Sequence, residues 1–151
     1  TAEIEMIDNR HAPYAIALLR VALGIMFLVH SVVLKLFMFT LPGTAQFFMS
    51  IGLPGWFAYA VFAAEAVGGL MLVLGIQARW VALALTPILI GATWVHAGNG
   101  WLFTNPNGGW EYPFYLTILG LAQALLGDGA FALSRTRLPD WMNSGAEAGQ
   151  T

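Results

Sequence analysis

Four long apolar runs constrain the fold of this 151-residue sequence more than any other feature. They lie at approximately residues 12–39, 54–76, 79–97 and 111–133. About 20 residues of α-helix cross the hydrocarbon core of a bilayer, where an unpaired backbone polar group is costly. Helices and closed barrels satisfy that condition, and the alternating pattern of barrel strands is absent. The runs therefore predict membrane-spanning helices, although the last two need their flanking residues to reach that length.

The connections and the positive charges predict how these helices are arranged. Short connections favour antiparallel neighbours, so we expect an all-α, integral membrane four-helix bundle with up-down topology. Arg10, Arg79, Arg135 and Arg137 then fall on one side, and Lys35 alone approaches the other. The positive-inside rule places both termini in the cytoplasm. The acidic N-terminus lacks the basic region of a cleaved signal peptide, so we interpret the first run as a retained span.

Composition excludes several classes of function. The chain is 58% hydrophobic and 9% charged, with a net charge of −2, which is typical of a membrane protein and leaves no basic patch for nucleic acid. Its length favours a single transmembrane domain over residues 1–151. The absence of cysteine excludes disulfides, thiolate metal sites, iron–sulfur clusters and covalently attached haem within these residues. We predict no metal site.

Several ionisable residues lie inside or beside the apolar runs. A charge at the centre of a membrane helix costs roughly 2.5–3.5 kcal/mol on insertion scales, so such residues are usually paired or functional. The candidates for a polar pocket and a proton relay are Arg20, His30, Lys35, Glu65, His96 and Glu111.

The helical rise sorts these candidates into layers by depth. Arg20 would lie about 12 Å and Glu65 about 14 Å from the inner face, which predicts an ion pair between them. His30 and His96 would lie higher, about 27 Å and 26 Å from that face. Lys35 and Glu111 would meet near the outer interface. In addition, Ala60, Ala64, Gly68 and Gly69 supply small residues for close helix contact.

Each layer has a structural and a functional interpretation. The Arg20–Glu65 pair fixes the register of the bundle or belongs to a functional site. Lys35 is an interfacial anchor or a binding residue. His30 and His96 form a shared site for a b-type haem, another tetrapyrrole or a metal ion, among which the spacing does not select, or are two interfacial histidines bonded to backbone or water.

Several short motifs occur in a consistent order between residues 15 and 135. They are Leu19-Arg20-x3-Gly24, His30-x4-Lys35, Ile51-Gly52-Leu53-Pro54, Glu65-x2-Gly68-Gly69, Leu74-Gly75-x3-Arg79, His96-x2-Asn99-Gly100, Gly108-Gly109-Trp110-Glu111-Tyr112-Pro113 and Gly127-Asp128-Gly129. In this order they resemble the DoxX family of small four-helix bacterial membrane proteins. The resemblance implies a multi-pass protein of the bacterial cytoplasmic (inner) membrane that is associated with quinone or thiol redox systems.

The resemblance and the polar layers together lead to one leading hypothesis and two alternatives. The leading one is a membrane subunit associated with a quinone- or thiol-linked oxidoreductase, accessory rather than self-sufficient, with a polar intramembrane pocket. Quinone and b-type haem both remain open as cofactors, with His30 and His96 as the cofactor-binding residues. Expected partners are the lipid bilayer, other membrane or redox subunits, and a second copy of the chain. The alternatives are a structural or assembly subunit without chemistry of its own, and a small-molecule or metal transporter.

Overall fold

The computed structural model describes residues 6–142, so residues 1–5 and 143–151 of the predicted domain lie outside the described residues. Helix α1 (Ala12–Leu28) continues directly into a π-helical segment (Val29–Met38). The other elements are α2 (Leu41–Ser50), α3 (Gly55–Leu74), α4 (Ala78–His96), a short 3₁₀ turn (Ala97–Asn99) and α5 (Glu111–Leu126). The described residues contain no strand, and a single bridge pairs Ile76 with Ser134. The all-α prediction is confirmed.

Three of the helices are long and apolar enough to cross a membrane. They are Ala12–Met38, which joins α1 to the π segment, Gly55–Leu74, and Ala78–Asn99. These three spans confirm a helical membrane architecture. Helix α5 has only 16 residues, so a fourth span remains a prediction, as does the cytoplasmic position of the termini.

The long helices pack in a ring in which each alternates in direction with the next. Helix α1 contacts α3 and α5, and α4 contacts α3 and α5. The start of α1 and the end of α3 both bond to the segment 127–137, through Pro13 O to Ala130 N and Leu74 O to Leu133 N. We call this end of the bundle the arginine end, because Arg20 and Arg79 reach into it. The opposite end, which holds the π segment, α2 and the end of α4, is the histidine end.

Two boundaries differ from the sequence prediction, each for a local reason. The predicted connection Leu41–Leu53 contains helix α2, because the Thr40 side chain accepts a hydrogen bond from Gly43 N and Pro42 fits the first turn. The fourth predicted helix was expected to reach residue 133, but α5 ends at Leu126. Gly127 follows with a φ of 91°, a conformation that stops a helix.

Glycines allow α1 and α3 to approach closely at the centre of the bundle. A Cβ added to Gly24 would lie 2.7 Å from Gly69 O, and one added to Gly69 would lie 3.0 Å from Gly24 O. The expected small-residue contact on α3 is therefore made by Gly69 with α1 and by Gly68 with Leu85 of α4. Ala60 and Ala64 instead lie exposed on the outer face of α3.

The chain is also fixed just before α1 begins. The Asp8 carboxylate accepts hydrogen bonds from the backbone N–H groups of Arg10 and His11, and one oxygen lies 2.6 Å from the His11 ring nitrogen Nδ1. These bonds, chiefly the one with the His11 side chain, hold the pKa of Asp8 below its ordinary value.

The crossing of α1 and α3 predicts opposite effects for two glycine substitutions. We expect Gly24→Ala to destabilise the protein by about 1–3 kcal/mol, because the added methyl group meets backbone atoms of α3. The matched control is Gly91→Ala in α4, where an added Cβ meets nothing within 4 Å and helix propensity favours alanine by up to about 1 kcal/mol. Thermal unfolding in detergent measures both. Equal midpoints for the two variants would contradict the close crossing.

Candidate functional site

A buried ion pair joins the first and second membrane helices. Lys35 Nζ in the π segment lies 2.8 Å from Glu65 Oε2 in α3, and their side chains are only 16% and 6% exposed. The same ammonium group lies 3.4 Å from His30 O. Among the ion pairs of the described residues, this is the one that lies inside membrane-spanning helices.

Lys35 belongs to a stretch with an uncommon backbone geometry. Ten residues, Val29–Met38, are wound as a π-helix, in which hydrogen bonds run from residue i+5 to residue i. The bond from Phe39 N to Leu34 O, 2.8 Å, ends the stretch in this pattern. Ser31, which is fully buried, donates from its hydroxyl to Leu28 O at the start of it. π-helical turns inside α-helices occur frequently at functional sites.

The predicted Arg20–Glu65 ion pair is wrong, because Glu65 is paired with Lys35. Similar Cα depths of Arg20 and Glu65 do not bring their head groups together, because the direction of each side chain also matters. Side chains on a helix tilt toward its N-terminus. Since α1 and α3 are antiparallel, the Arg20 head group extends toward the arginine end while the Glu65 carboxylate extends toward the histidine end. Lys35, tilted back along α1, meets that carboxylate.

Arg20 instead binds the C-terminal end of α3. The arginine is 1% exposed, and its guanidinium donates to Leu72 O and Val73 O, at 2.8 and 3.1 Å, and to Ala130 O at 2.8 Å. The last carbonyls of a helix lack intrahelical partners and carry the negative end of the helix dipole. Gly75, with a φ of 74°, completes this end through the bond from Ile76 N to Met71 O, a Schellman motif. The role of Arg20 seen in the structure is therefore that of a helix cap.

Arg79 does the same for α5, a role that the sequence did not indicate. Its guanidinium donates to Ala124 O at 2.9 Å and to Leu125 O at 3.1 Å. Beside it, the fully buried Gln123 donates to Gly127 O at 2.7 Å. The charged residues of the apolar runs do not reveal Gln123, but a polar amide inside such a run is a comparable signal, because a buried amide needs a hydrogen-bond partner.

Glu111 does not meet Lys35, so that predicted contact is also wrong. Its carboxylate accepts a hydrogen bond from Phe103 N at 3.2 Å, and its own N–H donates to Trp101 O at 3.0 Å. These bonds tie the first turn of α5 to the connection that follows α4. The Trp101 and Trp110 rings pack edge to face in that connection, with centroids 4.5 Å apart. The contacts of Glu111 close a loop at the histidine end.

The two histidines are anchored in the same way on different helices. His30 Nδ1 lies 2.9 Å from Met26 O, and His96 Nδ1 lies 2.8 Å from Ala92 O. Each bond reaches back one helical turn and leaves Nε2 available to a ligand or a proton. The His30 ring stacks with Tyr112 at 6.3 Å, and His96 lies beside Gly108, so both imidazoles lie near the start of α5. That His30 and His96 share one site remains a prediction.

The available Nε2 atoms of His30 and His96 have the chemistry needed to hold a haem iron, for which a histidine must present an unprotonated ring nitrogen. Within residues 6–142, no three His, Cys, Asp or Glu side chains are grouped so that they could hold a metal ion. A hollow of about 520 Å³ lies nearby between α4 and α5, and its lining is almost wholly apolar. Neither Lys35 nor Glu65 lines it.

The fold and the buried charges define a helical, multi-pass membrane protein with an intramembrane ion pair. The family model for DoxX matches residues 15–98, which include Arg20, Lys35, Glu65 and both histidines of the candidate site. The chain therefore belongs to the DoxX family.

One curated relative is named "Putative oxidoreductase CatD", from Bacillus subtilis (strain 168). It is 42% identical to this chain over 84 residues, which amount to 56% of this chain and 60% of the relative. The chain thus spans less than two thirds of the length of that relative. No solved structure matches the chain.

The observed pairing predicts a specific pattern of coupling between substitutions. In a double-mutant cycle on unfolding free energy, Lys35→Met and Glu65→Gln should be strongly coupled, since removing one partner of a buried pair costs about 3–5 kcal/mol. Arg20→Met and Glu65→Gln should be additive to within about 0.5 kcal/mol, because the two side chains have no common partner. Thermal or denaturant unfolding in detergent measures both cycles. Strong coupling of Arg20 with Glu65 would contradict the assigned contacts.

Proposed function

We propose that the protein is a membrane subunit associated with a quinone- or thiol-linked oxidoreductase system, in which the Lys35–Glu65 pair and His30 exchange protons with the redox partner. The observation that carries this proposal is the Lys35–Glu65 ion pair, buried in the membrane-spanning helices and held by a π-helical segment. Ionisable groups at such depth are functional candidates by default, because they are costly to keep there.

The chemistry of these residues supports a role in proton transfer. A quinone that is reduced to a quinol takes up two electrons and two protons. Glu65 is a carboxyl group that can carry a proton, and Lys35 donates hydrogen bonds to it and to His30 O. His30 is fixed through Nδ1 and has Nε2 available to accept or release a proton. Since these 151 residues contain no cysteine, the electrons would come from a partner chain or a bound cofactor.

The candidate cofactor sites follow from the same contacts. If a b-type haem binds, Nε2 of His30 and of His96 would hold its iron, and the haem would supply one-electron transfer. If a quinone binds without haem, the ammonium of Lys35 and His30 in its imidazolium form, protonated at Nε2, would donate hydrogen bonds to the quinone carbonyl oxygens. The name of CatD as an oxidoreductase is consistent with either arrangement.

A structural or assembly subunit is the second candidate, and a specific observation favours it. Arg20 and Arg79 both cap the C-terminal ends of helices, so two of the buried or half-buried cations already have a structural role. On this alternative the Lys35–Glu65 pair also serves only to fix the register of α3 against the π segment. The protein would then contribute to a larger membrane complex without chemistry of its own.

We further propose four membrane spans in a bacterial inner membrane, with both termini in the cytoplasm. The support is the distribution of Lys and Arg along the sequence. At the arginine end, Arg10 precedes α1, Arg79 lies at the start of α4, and Arg135 and Arg137 lie in the segment 127–137. At the histidine end the sequence has Lys35 alone among its Lys and Arg residues. Helix α5 completes the helical ring despite its 16 residues.

A charge swap separates the redox proposal from the structural alternative. We expect Lys35→Met and Glu65→Gln each to lower the amount of protein in the membrane and the quinone that co-purifies with it, because each leaves a buried charge without its partner. The double variant Lys35→Glu with Glu65→Lys restores an ion pair and should recover protein abundance but not bound quinone. Immunoblotting of membranes measures abundance, and chromatography of extracted lipids measures quinone per protein.

The control is Arg135→Met, which removes an exposed arginine far from the pair and should leave both quantities unchanged. If wild-type protein, purified in mild detergent, holds neither quinone nor a haem absorption band, the quinone-linked form of the redox proposal fails. Full recovery of bound quinone in the charge-swapped protein would mean that the pair is only structural.

A further inference from the structure

The outer surface around α2 carries no charge. Between Lys35 and Glu65 the sequence contains no Asp, Glu, Lys, Arg or His, although this stretch includes α2 and both of its connections. A connection in water normally carries charged and polar side chains, as the surface of a soluble protein does. The uncharged stretch instead resembles the lipid-facing helices on either side of it.

Large apolar side chains are exposed throughout the same stretch. Phe37 and Trp56 are 73% and 68% exposed, and the other large side chains that are exposed there include Met38, Phe39, Phe47 and Met49. Large contiguous apolar patches on a protein surface mark contact with another protein or with membrane. Aromatic side chains are also the residues enriched at the boundary between lipid and water.

Helix α2 has the three faces of a helix lying in such a boundary. Thr44 and Ala45 are buried, and α2 packs against α3 and the π segment. At about 100° per residue, Gln46 and Ser50 fall on one exposed stripe, one turn apart. Phe47 and Met49, 50% and 57% exposed, fall on either side of that stripe. The helix therefore offers a narrow polar line toward water with apolar flanks.

The backbone at both ends of α2 has its hydrogen bonds within the protein, as lipid surroundings require. At the start, Gly43 N donates to the Thr40 side chain and Thr44 N donates to Thr40 O. At the end, Gly52 N and Leu53 N donate to carbonyls of the last turn of α2. Few backbone donors at these ends are left to water.

We infer that α2 is an interfacial helix, embedded in the lipid–water boundary of the same bilayer that the flanking spans cross. Gln46 and Ser50 point toward water, and Phe47 and Met49 lie in lipid. Lipid is the occupant of this surface because the surface is continuous with two helices that are long and apolar enough to span a membrane. The span Ala12–Met38 ends three residues before α2, and the span Gly55–Leu74 begins five residues after it. This inference does not depend on the proposed redox function.

The absence of cysteine makes the full chain suitable for a direct test. Single substitutions Gln46→Cys, Phe47→Cys and Met49→Cys are made in separate proteins. Thr104→Cys, in the connection after α4 at the histidine end, is the water-exposed control, and Leu18→Cys, 73% exposed on α1, is the lipid-facing control. Each protein is reconstituted in phosphatidylcholine vesicles. In one sample, the rate at which the thiol reacts with a water-soluble maleimide is measured. In a second sample, the thiol carries a fluorophore, and the quenching of its fluorescence by iodide or by brominated lipid is measured.

We expect Gln46→Cys to react at nearly the rate of Thr104→Cys. Phe47→Cys and Met49→Cys should react about tenfold or more slowly, because a thiol away from water forms less of the reactive thiolate. Fluorophores at positions 47 and 49 should be quenched by brominated lipid as strongly as the one at position 18. Reaction of all three α2 thiols at the Thr104→Cys rate would overturn the inference by placing the helix in water. Protection from both quenchers would overturn it by placing a protein partner on the helix.

Discussion

The apolar surroundings of the helices oblige polar groups to find partners within the protein, and most of the observed contacts follow from that constraint. A helix leaves its last carbonyls unpaired, and in lipid there is no water to bind them. Arg20 donates hydrogen bonds to the last carbonyls of α3, and Arg79 donates hydrogen bonds to the last carbonyls of α5. Each places a positive charge where the helix dipole is negative. The segment 127–137 then bonds to Pro13, Leu74 and Gly75, so the arginine end is joined into one hydrogen-bonded unit.

The Lys35–Glu65 pair differs from these arginines in what it satisfies. Glu65 lies in the middle of α3, where the backbone is already hydrogen-bonded within the helix, so the pair caps nothing. Apolar side chains of similar volume can often replace a buried ion pair without loss of stability. Stability alone therefore gives no reason for charges at this position, and the proton transfer proposed above would supply one. The π segment adds to this argument, since π-helical turns are rare and occur frequently at functional sites.

Much of the fold could be predicted from the sequence, because the length and polarity of the apolar runs are enough to locate membrane helices. The spans near residues 12–39, 54–76 and 79–97 agree with the helices within a few residues. Helix α2 was missed because its stretch was interpreted only as a connection, although Thr40 and Pro42 form a recognisable helix start. The end of α5 was missed because Gly127 was interpreted only as part of a motif. The π segment has no sequence signal that would distinguish Val29–Met38 from continued α-helix.

The pairing error has a general cause, which the structure makes visible in several side chains at once. His30 and His96 each bond to the carbonyl four residues earlier, and Lys35 reaches the carbonyl five residues earlier. All three extend toward the N-terminus of their own helix, as the Cα–Cβ direction requires. On antiparallel helices, two such side chains at equal Cα depth extend in opposite directions and separate. A long cation and a carboxylate on antiparallel helices meet at a level between their two Cα atoms. Each Cα must therefore lie closer to the C-terminal end of its own helix than that level does. Lys35 and Glu65 satisfy that condition, whereas Arg20 and Glu65 do not.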